Sequence, residues 1–391
     1  MSQLHLFNPG HETAILFSER QYTPKANVLK MQKDLALLPL WYGERGDYVW
    51  SEEKIDNTFL SLLPKGLTPN ASMLSLNLQT KLIAAPWGLS PQSLKTFEGL
   101  KEKQEIPLQI PAWKEEFIAL TGRHTAALCL DKIKQLLPGS VLPETPVFYT
   151  NIPTIKKHLS AHHPPFVIKT PYSSSGQGIL WIHSSALAEK EEEWTQGAIR
   201  KQGCVSIEKG LQKLQDFALE FYLDEQGDVN YKGLSVFDTA EKGTYSGNRL
   251  AAQETMQKEL LQHIEEPFFE QVKSAVMQTI KAVYGKIYTG YLGVDMLLYA
   301  DQSNAVRIHP CVEVNMRYTM GMVAVRLFED YIASSAKGYF HVTYENDCKE
   351  KDAEMKNKYP LLLDNGRISK GYISLCPVTE DTRYRAYILI E

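Results

Sequence analysis

GVDMLLYADQSNAVRIHPCVEVNMR (Gly293–Arg317) decides how this chain folds. Two apolar runs flank Asp301-Gln302-Ser303-Asn304, a cluster of turn-forming residues, and the pattern predicts an antiparallel hairpin. Alternate residues of a strand share a face. Glu313, Asn315 and Arg317 therefore project one way, and Val314 and Met316 the other. If Asp295 stands opposite Glu313, the ladder centres at Asn304, at the end of the polar turn. Pro310 cannot donate a ladder hydrogen bond and can bulge the strand, which leaves one residue of play in the register. Two carboxylates and an amide oxygen are hard ligands suited to Mg²⁺, an ion that keeps waters and takes substrate phosphates as well. The arrangement points to a nucleotide rather than an all-protein metal cage. The alternative is a salt bridge of Glu313 or Asp295 with Arg317 or Arg307.

Upstream, PFVIKTPYSSSGQGILWI (Pro165–Ile182) reads as two strands joined by a small-residue loop. Ser173, Ser174, Ser175, Gly176, Gln177 and Gly178 can converge backbone N–H groups and hydroxyls on an anion. Lys169 stands in the strand before the loop, among apolar neighbours, where an ammonium needs a partner. A phosphate is one such partner. A surface hairpin with a snorkelling lysine is the bland alternative. Walker A and kinase-type glycine signatures are absent. With Lys169 and the loop beside it, the acidic hairpin favours metal over salt bridge.

Around these two stretches the chain has three regions. In the first, LHLF (Leu4–Phe7), DYVW (Asp47–Trp50) and KLIAAPWG (Lys81–Gly88) read as strands, with a helix over about Pro24–Leu37. Such alternation predicts an α/β domain with a parallel sheet. In the second, helices are expected over Thr125–Leu137 and Thr154–Leu159 and a strand over Thr145–Tyr149. In the third, hairpins are expected at Glu225–Asp228 and at Thr379–Thr382, and a helix over Pro267–Tyr284. Residues 346–360 are highly charged and read as a solvated surface segment. The expected division is 1–120, 121–204 and 205–391.

The chain has 391 residues, 42 basic and 46 acidic. That length supports a large core without disulfides, and the charge balance gives no general attraction to nucleic acid. No apolar run reaches the roughly 20 residues of a membrane helix, and no signal peptide is visible. Five widely spaced cysteines without a CxxC pair argue against structural zinc or a disulfide framework. A soluble cytoplasmic protein is expected, without nucleic-acid or membrane partners.

Taken in order, the motifs resemble the ATP-grasp superfamily over roughly residues 120–340. PFVIKTPYSSSGQGI is similar to its strand–lysine–flexible loop, SIEKGL (Ser206–Leu211) to its adenine hinge, and GVDMLLY and VEVNMRYTMG to its metal-carrying strands. The N-terminal opening, FNPGHETAILF, with DLALLPLWY, suggests an uncharacterised bacterial subfamily. The resemblance implies an N-terminal α/β domain followed by two α+β subdomains that clamp ATP. By the same resemblance Lys169 contacts the α- and β-phosphates, and Ser173–Gly178 close over the β- and γ-phosphates. Glu208 accepts from the adenine amino group, Lys209 and Leu211 read the ring edge through their backbone, and Asp216 holds the ribose. Asp295, Glu313 and Asn315 hold one or two Mg²⁺, with Mn²⁺ as a substitute, and Arg317 stabilises the transferred phosphoryl group. The chain departs from the pattern in offering Arg123 where a lysine is usual. It also spaces Asp216 beyond Lys213-Leu214-Gln215, and leaves Arg249, or else Lys242, as the intermediate basic residue.

The implied function is an ATP-dependent ligase, forming a carbon–nitrogen bond by way of an acyl phosphate. Its partners are a small-molecule or peptide carboxylate and a nucleophile, and the reading allows a homodimer. The alternatives are a phosphotransferase on the same scaffold and a nucleotide-binding regulator without turnover. His11 and Glu12 follow the first strand, where open α/β sheets bind ligands. Helix capping by Glu12 and a surface His11 are the preferred reading of that pair. For His309 a satisfied structural role is preferred.

Overall fold

The computed structural model describes residues 1–391 except 18–21, 53–57, 76–79, 174–177, 240–244 and the side chain of Gln104. Two compact units result. Met1–Lys114, Ser246–Met256 and Arg317–Glu391 form the first, and Glu115–Tyr245 and Gln257–Met316 the second.

In the first unit β1 (Gln3–Leu6), β2 (Tyr48–Val49), β3 (Ser72–Met73), β4 (Leu82–Pro86) and β5 (Leu108–Gln109) build a parallel sheet in the order β3-β2-β1-β4-β5. Leu4 and Leu6 of β1 and Leu82 and Ala84 of β4 bury against Phe97 and Leu100. Those two belong to the helix Pro91–Gln104, which starts sharply because Ser90 and Ser93 cap each other's backbone and Pro91 occupies the first turn. The expected Pro24–Leu37 helix is shorter, Ala26–Asp34. Past Asp34 the chain turns into the short helix Pro39–Tyr42, whose proline has no N–H to continue the earlier ladder.

The second unit begins with an antiparallel sheet of β6 (Val147–Tyr149), β7 (Phe166–Lys169), β8 (Ile179–Ile182) and β9 (Val205–Lys209), ordered β6-β9-β7-β8. One face of β7 and β9, carrying Phe166, Ile168, Val205 and Ile207, is core against Ile155, Leu159 and Ile199 of the helices Ile152–Ala161 and Glu189–Gln202. The other face carries Lys169, Ser206 and Glu208. Four longer strands follow: β10 (Gln212–Leu223), β11 (Val229–Thr239), β13 (Gly290–Ala300) and β14 (Val306–Asn315), ordered β14-β13-β10-β11. The helix Glu266–Tyr284 buries Phe269, Val272, Val276, Ile280 and Tyr284, a stripe at helical spacing. It packs with the helix Arg123–Leu136 against this sheet.

The remaining strands belong to the first unit from Ser246 onward. They are β12 (Tyr245–Leu250), β15 (Gly338–Tyr344), β16 (Leu362–Asp364), β17 (Arg367–Ser374) and β18 (Tyr384–Ile390). β12 pairs with β15, β15 with β18, β18 with β17 and β17 with β16, all antiparallel. The charged segment expected to be solvated contains a helix, Cys348–Lys358, with one buried edge. Asp352 on that edge accepts a hydrogen bond from Tyr372 Oη at 2.8 Å and an ion pair from Lys356 at 2.7 Å. Charge density concealed the docking side because the buried group is itself an acid.

Candidate active site

The β13–β14 ladder pairs Asp295 with Glu313, Val294 with Val314 and Gly293 with Asn315. Its register shifts between Asp295 and Leu297, the next pair being Leu297 with His309. The shift falls beside Pro310, which cannot contribute a ladder donor. Asn304 takes a left-handed φ of 63°, and Asp301 Oδ1 accepts from Ser303 and Ala305 N–H groups to hold the turn. Arg307 pairs with Asp301 at 2.7 Å. β14 ends at Asn315, so the strand alternation read from the sequence stops short of Arg317.

β10 adds a third acid to this sheet face. Ala218 stands opposite Asp295, and Glu220 stands opposite Gly293. Glu220 is 1% exposed and accepts from Ser235 Oγ at 3.0 Å. The sequence reading missed it, although its signal matches that of Lys169: a lone charge inside an apolar strand. Asp216, one pair further along, accepts from Lys213 Nζ at 2.6 Å and Thr239 Oγ1 at 2.7 Å.

On the smaller sheet Lys169 pairs with Ser206, and Val167 with Glu208. That diagonal brings the Lys169 ammonium onto Glu208 Oε1. Lys169 is 7% exposed, which rejects the snorkelling alternative. Glu208 is thus the lysine's counter-charge here. Lys209 donates instead to the carbonyl oxygen of His163 at 2.5 Å, and Leu211 O accepts from Lys213 N–H at 3.0 Å. Arg123 opens the helix Arg123–Leu136. Its Nε donates to Thr170 O at 3.0 Å, and Nη2 reaches Ser173 Oγ at 3.4 Å and the Glu313 carboxylate at 3.2 Å. One guanidinium therefore joins the start of the small-residue loop to an acid of the β13–β14 pair. Gly178 closes the loop's far end with its carbonyl accepting from Thr170 N–H at 2.9 Å. A Cβ there would lie 2.2 Å from Thr170 Oγ1, so any larger residue must displace that side chain. Ser174, Ser175, Gly176, Gln177 and Lys242 lie outside the described residues.

A cavity within this unit is walled by Ala126, Ala127, Pro146 and Phe148 on its apolar side. Arg123, Lys169, Ser206 and Glu208 form its polar side. His309 is buried nearby. Burial pushes its imidazole down to about 4, with Glu208 opposing that shift and Lys169 adding to it. Among the described residues no group of three or more His, Cys, Asp and Glu side chains is placed to hold a metal. Asp295 and Glu313, with the amide of Asn315, fall short of a full shell. Such a partial set fits a cation that completes its coordination with phosphate oxygens and water.

Arg249, Arg317, His11 and Glu12 belong to the first unit, and the other described candidates to the second. Arg249 lies on β12 opposite Tyr339. Arg317 Nε donates to Glu12 Oε1 at 2.6 Å. His11 and Glu12 are 2% and 6% exposed, so the surface reading of His11 is corrected. Burial works to raise the Glu12 carboxyl, but the Arg317 and His11 charges outweigh it and hold the group well below the usual carboxylate range.

No protein-family model matches the sequence, and no curated protein matches it. Solved structures do match in fold. A biotin carboxylase from Campylobacter jejuni in complex with beta-gamma-ATP aligns at a TM-score of 0.53 and 14% identity, over 100% of this chain and 88% of that one. N5-carboxyaminoimidazole synthetase from Staphylococcus aureus aligns at 0.50 and 13%, over 100% and 93%. A Rhizobium etli pyruvate carboxylase aligns at 0.52 and 13%, over 99% of this chain and 35% of that one. At such identities the likeness is one of architecture. The chain has the ATP-grasp fold, a mixed α/β structure with one parallel sheet and antiparallel sheets. No helix among the described residues is long and apolar enough to cross a membrane.

Proposed function

We propose that the chain is an ATP- and Mg²⁺-dependent ligase that activates a carboxylate as an acyl phosphate for attack by an amine or another nucleophile. One observation carries the reading. Arg123 spans from Ser173 at the loop to Glu313, which stands opposite Asp295, while Lys169 and Glu208 share a cavity wall with the same arginine. Cations and acids so interleaved in one unit suit a metal-bound triphosphate. Solved structures that align at TM-scores of 0.53 and 0.50 hold beta-gamma-ATP and MgADP, which supports the nucleotide.

In this reading ATP lies with its adenine against Ala126, Ala127 and Phe148, and the Glu208 edge reads the amino group. Lys169 and Arg123 offset phosphate charge, with Ser173 at the start of the small-residue loop beside them. Asp216 serves the ribose. Asp295, Glu313 and Asn315 hold Mg²⁺, which when bound neutralises the triphosphate and aligns its terminal group. The acceptor carboxylate attacks the γ-phosphoryl group and ADP departs. The nucleophile then adds to the acyl carbon and phosphate leaves. Positioning and charge neutralisation supply most of the rate.

The test is a screen for ADP release with MgATP over amino acids, short peptides and dicarboxylates, with Glu313→Ala as control. Release that needs an added carboxylate, yields free phosphate and vanishes in the variant supports the ligase. Phosphate retained in the product supports a phosphotransferase. Failure of MgATP to raise the melting midpoint rejects both.

A further inference from the structure

The helix Ile152–Ala161 covers the face of the small sheet opposite the cavity. It ends in a pair of histidines for which the proposed reaction has no use. His158 stands in the last turn, and His162 is the first residue past it. Their rings stack with 4.3 Å between centroids and 22° between planes. His158 is also held from behind. Its ring meets Phe166 edge-on at 6.0 Å, and its Nδ1 lies 2.8 Å from Tyr149 Oη. Phe166 and Tyr149 both pack on the hydrophobic core of the small sheet, so the supports of His158 are part of the interior.

Hydrogen bonding decides which nitrogens face outward. His162 Nδ1 lies 2.8 Å from the carbonyl oxygen of His158. A carbonyl only accepts, so Nδ1 carries the proton and Nε2 of the neutral ring carries the lone pair. Tyr149 Oη can accept from His158 Nδ1–H in the same way, which leaves a lone pair on His158 Nε2. Neither Nε2 has a hydrogen-bond partner among the described residues, and His158 Nε2 is not buried. His162 is exposed and His158 half-buried, so both are reached from solvent. Metal-ligating histidines share this arrangement, with one ring nitrogen on the ion and the other N–H held by an oxygen. A tetrahedral ion with nitrogens at about 2.0–2.1 Å holds two of them roughly 3.3 Å apart, a span that a tilt of the exposed His162 ring closes. The negative end of the helix dipole lies at the same place and favours a cation.

We propose that His158 and His162 form a surface site for a divalent transition-metal ion of the Zn²⁺, Ni²⁺ or Cu²⁺ class, bound through Nε2 of each imidazole. Imidazoles suit such ions, whereas Mg²⁺ requires oxygen. Among the described residues no group of three His, Cys, Asp or Glu side chains is placed for a metal, so water fills the remaining positions. Tyr149 acts as a positioning residue that fixes the His158 ring. The bound ion ties the end of the helix, through Tyr149, to β6 and, through Phe166, to β7, the strand that carries Lys169. All of these residues lie within the second unit, and the site stands whether or not the ligase reading does.

The test is calorimetric titration of the full chain with Zn²⁺ in the presence of excess Mg²⁺. Saturable binding is expected, with a stoichiometry that falls by one in His158→Gln and again by one, relative to wild type, in His162→Gln. Tyr149→Phe removes only the hydroxyl behind His158 and should weaken this site roughly 10-fold. Cu²⁺ should bind more tightly than Zn²⁺, and its electron paramagnetic resonance spectrum should show coupling to two imidazole nitrogens. Should a variant fail to fold, ¹H–¹⁵N spectra of the wild-type histidine side chains decide, since the Nε2 signals of two stacked rings should move together on Zn²⁺ addition. Absence of Zn²⁺ binding, its displacement by Mg²⁺, or an unchanged stoichiometry in either histidine variant overturns the proposal. An affinity untouched by Tyr149→Phe shows an adventitious pair of surface histidines and overturns the built site.

Discussion

His309 gives the site a measurable acid limit. Its imidazole is buried, and burial carries it from an ordinary 6.5 down to about 4. Between those values the unfolded chain holds a proton that the folded chain refuses. Stability from this group is complete above pH 6.5 and falls as the pH drops toward 4, where the folded state also takes the proton. At about 1.4 kcal/mol per pH unit, the full difference is about 3 kcal/mol, of which roughly 2.5 is lost between pH 7 and 4.5. Lys169, Glu208 and Lys134 face the imidazole electrostatically, and the two lysines oppose its charging. The perturbation is His309→Gln, which keeps an acceptor for the Cys311 N–H that now reaches His309 Nδ1 at 3.4 Å. Urea unfolding of both proteins at pH 7 and pH 4.5 is the assay. The wild type should lose roughly 2.5 kcal/mol more than the variant across that interval. Equal losses would falsify the assignment of the acid limb to His309 and leave it to carboxylates elsewhere.

Two further substitutions test local physics. Asp352→Ala removes the acceptor of the Tyr372 O–H, whose oxygen still accepts from Arg385, and the Lys356 partner, so the urea midpoint should fall by the equivalent of about 1–3 kcal/mol with an unchanged slope. Gly178→Ala forces a Cβ onto Thr170 Oγ1 and Ser173 Oγ, and overpacking of this kind costs about 1–3 kcal/mol. MgATP affinity should fall with it, which isothermal titration reads directly. An unaltered affinity would show that the loop base can shift without consequence.

The sheet elements were the most legible part of the sequence. Alternation placed the β13–β14 hairpin, and the polar cluster at Asp301–Asn304 centred its ladder to within a residue of the observed Asp295–Glu313 pair. Lys169 was legible because a charge in an apolar strand has few structural excuses. The same logic applied to DFALEFYL would have found Glu220. What remained hidden is pairing. Lys169 finds Glu208 across two strands, Arg123 finds Glu313 from 190 residues away, and Arg317 finds Glu12 from 305 residues away. Periodicity reports which face a residue takes. It carries no information on which distant element brings the opposing charge. Burial of His11 was equally invisible, since it depends on the bare backbone of Gly88, a β4 neighbour far along the chain.

Those pairings set a condition on nucleotide entry in the proposed function. Lys169, Arg123 and Arg317 each already face a carboxylate. A triphosphate that drew Arg123 away would leave Glu313 without this partner, unless a cation arrived with the phosphate. Glu313 would take a bound Mg²⁺ as its partner in that exchange, while the Arg123 guanidinium turns to phosphate. Arg123→Ala therefore acts in opposite directions on two ligands. A bare divalent ion no longer competes with a guanidinium 3.2 Å from the Glu313 carboxylate, so it should bind more tightly. The Glu313 side chain is 29% exposed, which scales the gain down to about 1–2 kcal/mol, or roughly 5–30-fold. MgATP loses a phosphate contact in the same variant and should bind more weakly by a similar factor. Mn²⁺ titration followed by electron paramagnetic resonance reads the first, and calorimetry with MgATP reads the second. If both affinities moved the same way, Arg123 would be a structural tie between the loop and the hairpin rather than a charge exchanged during binding.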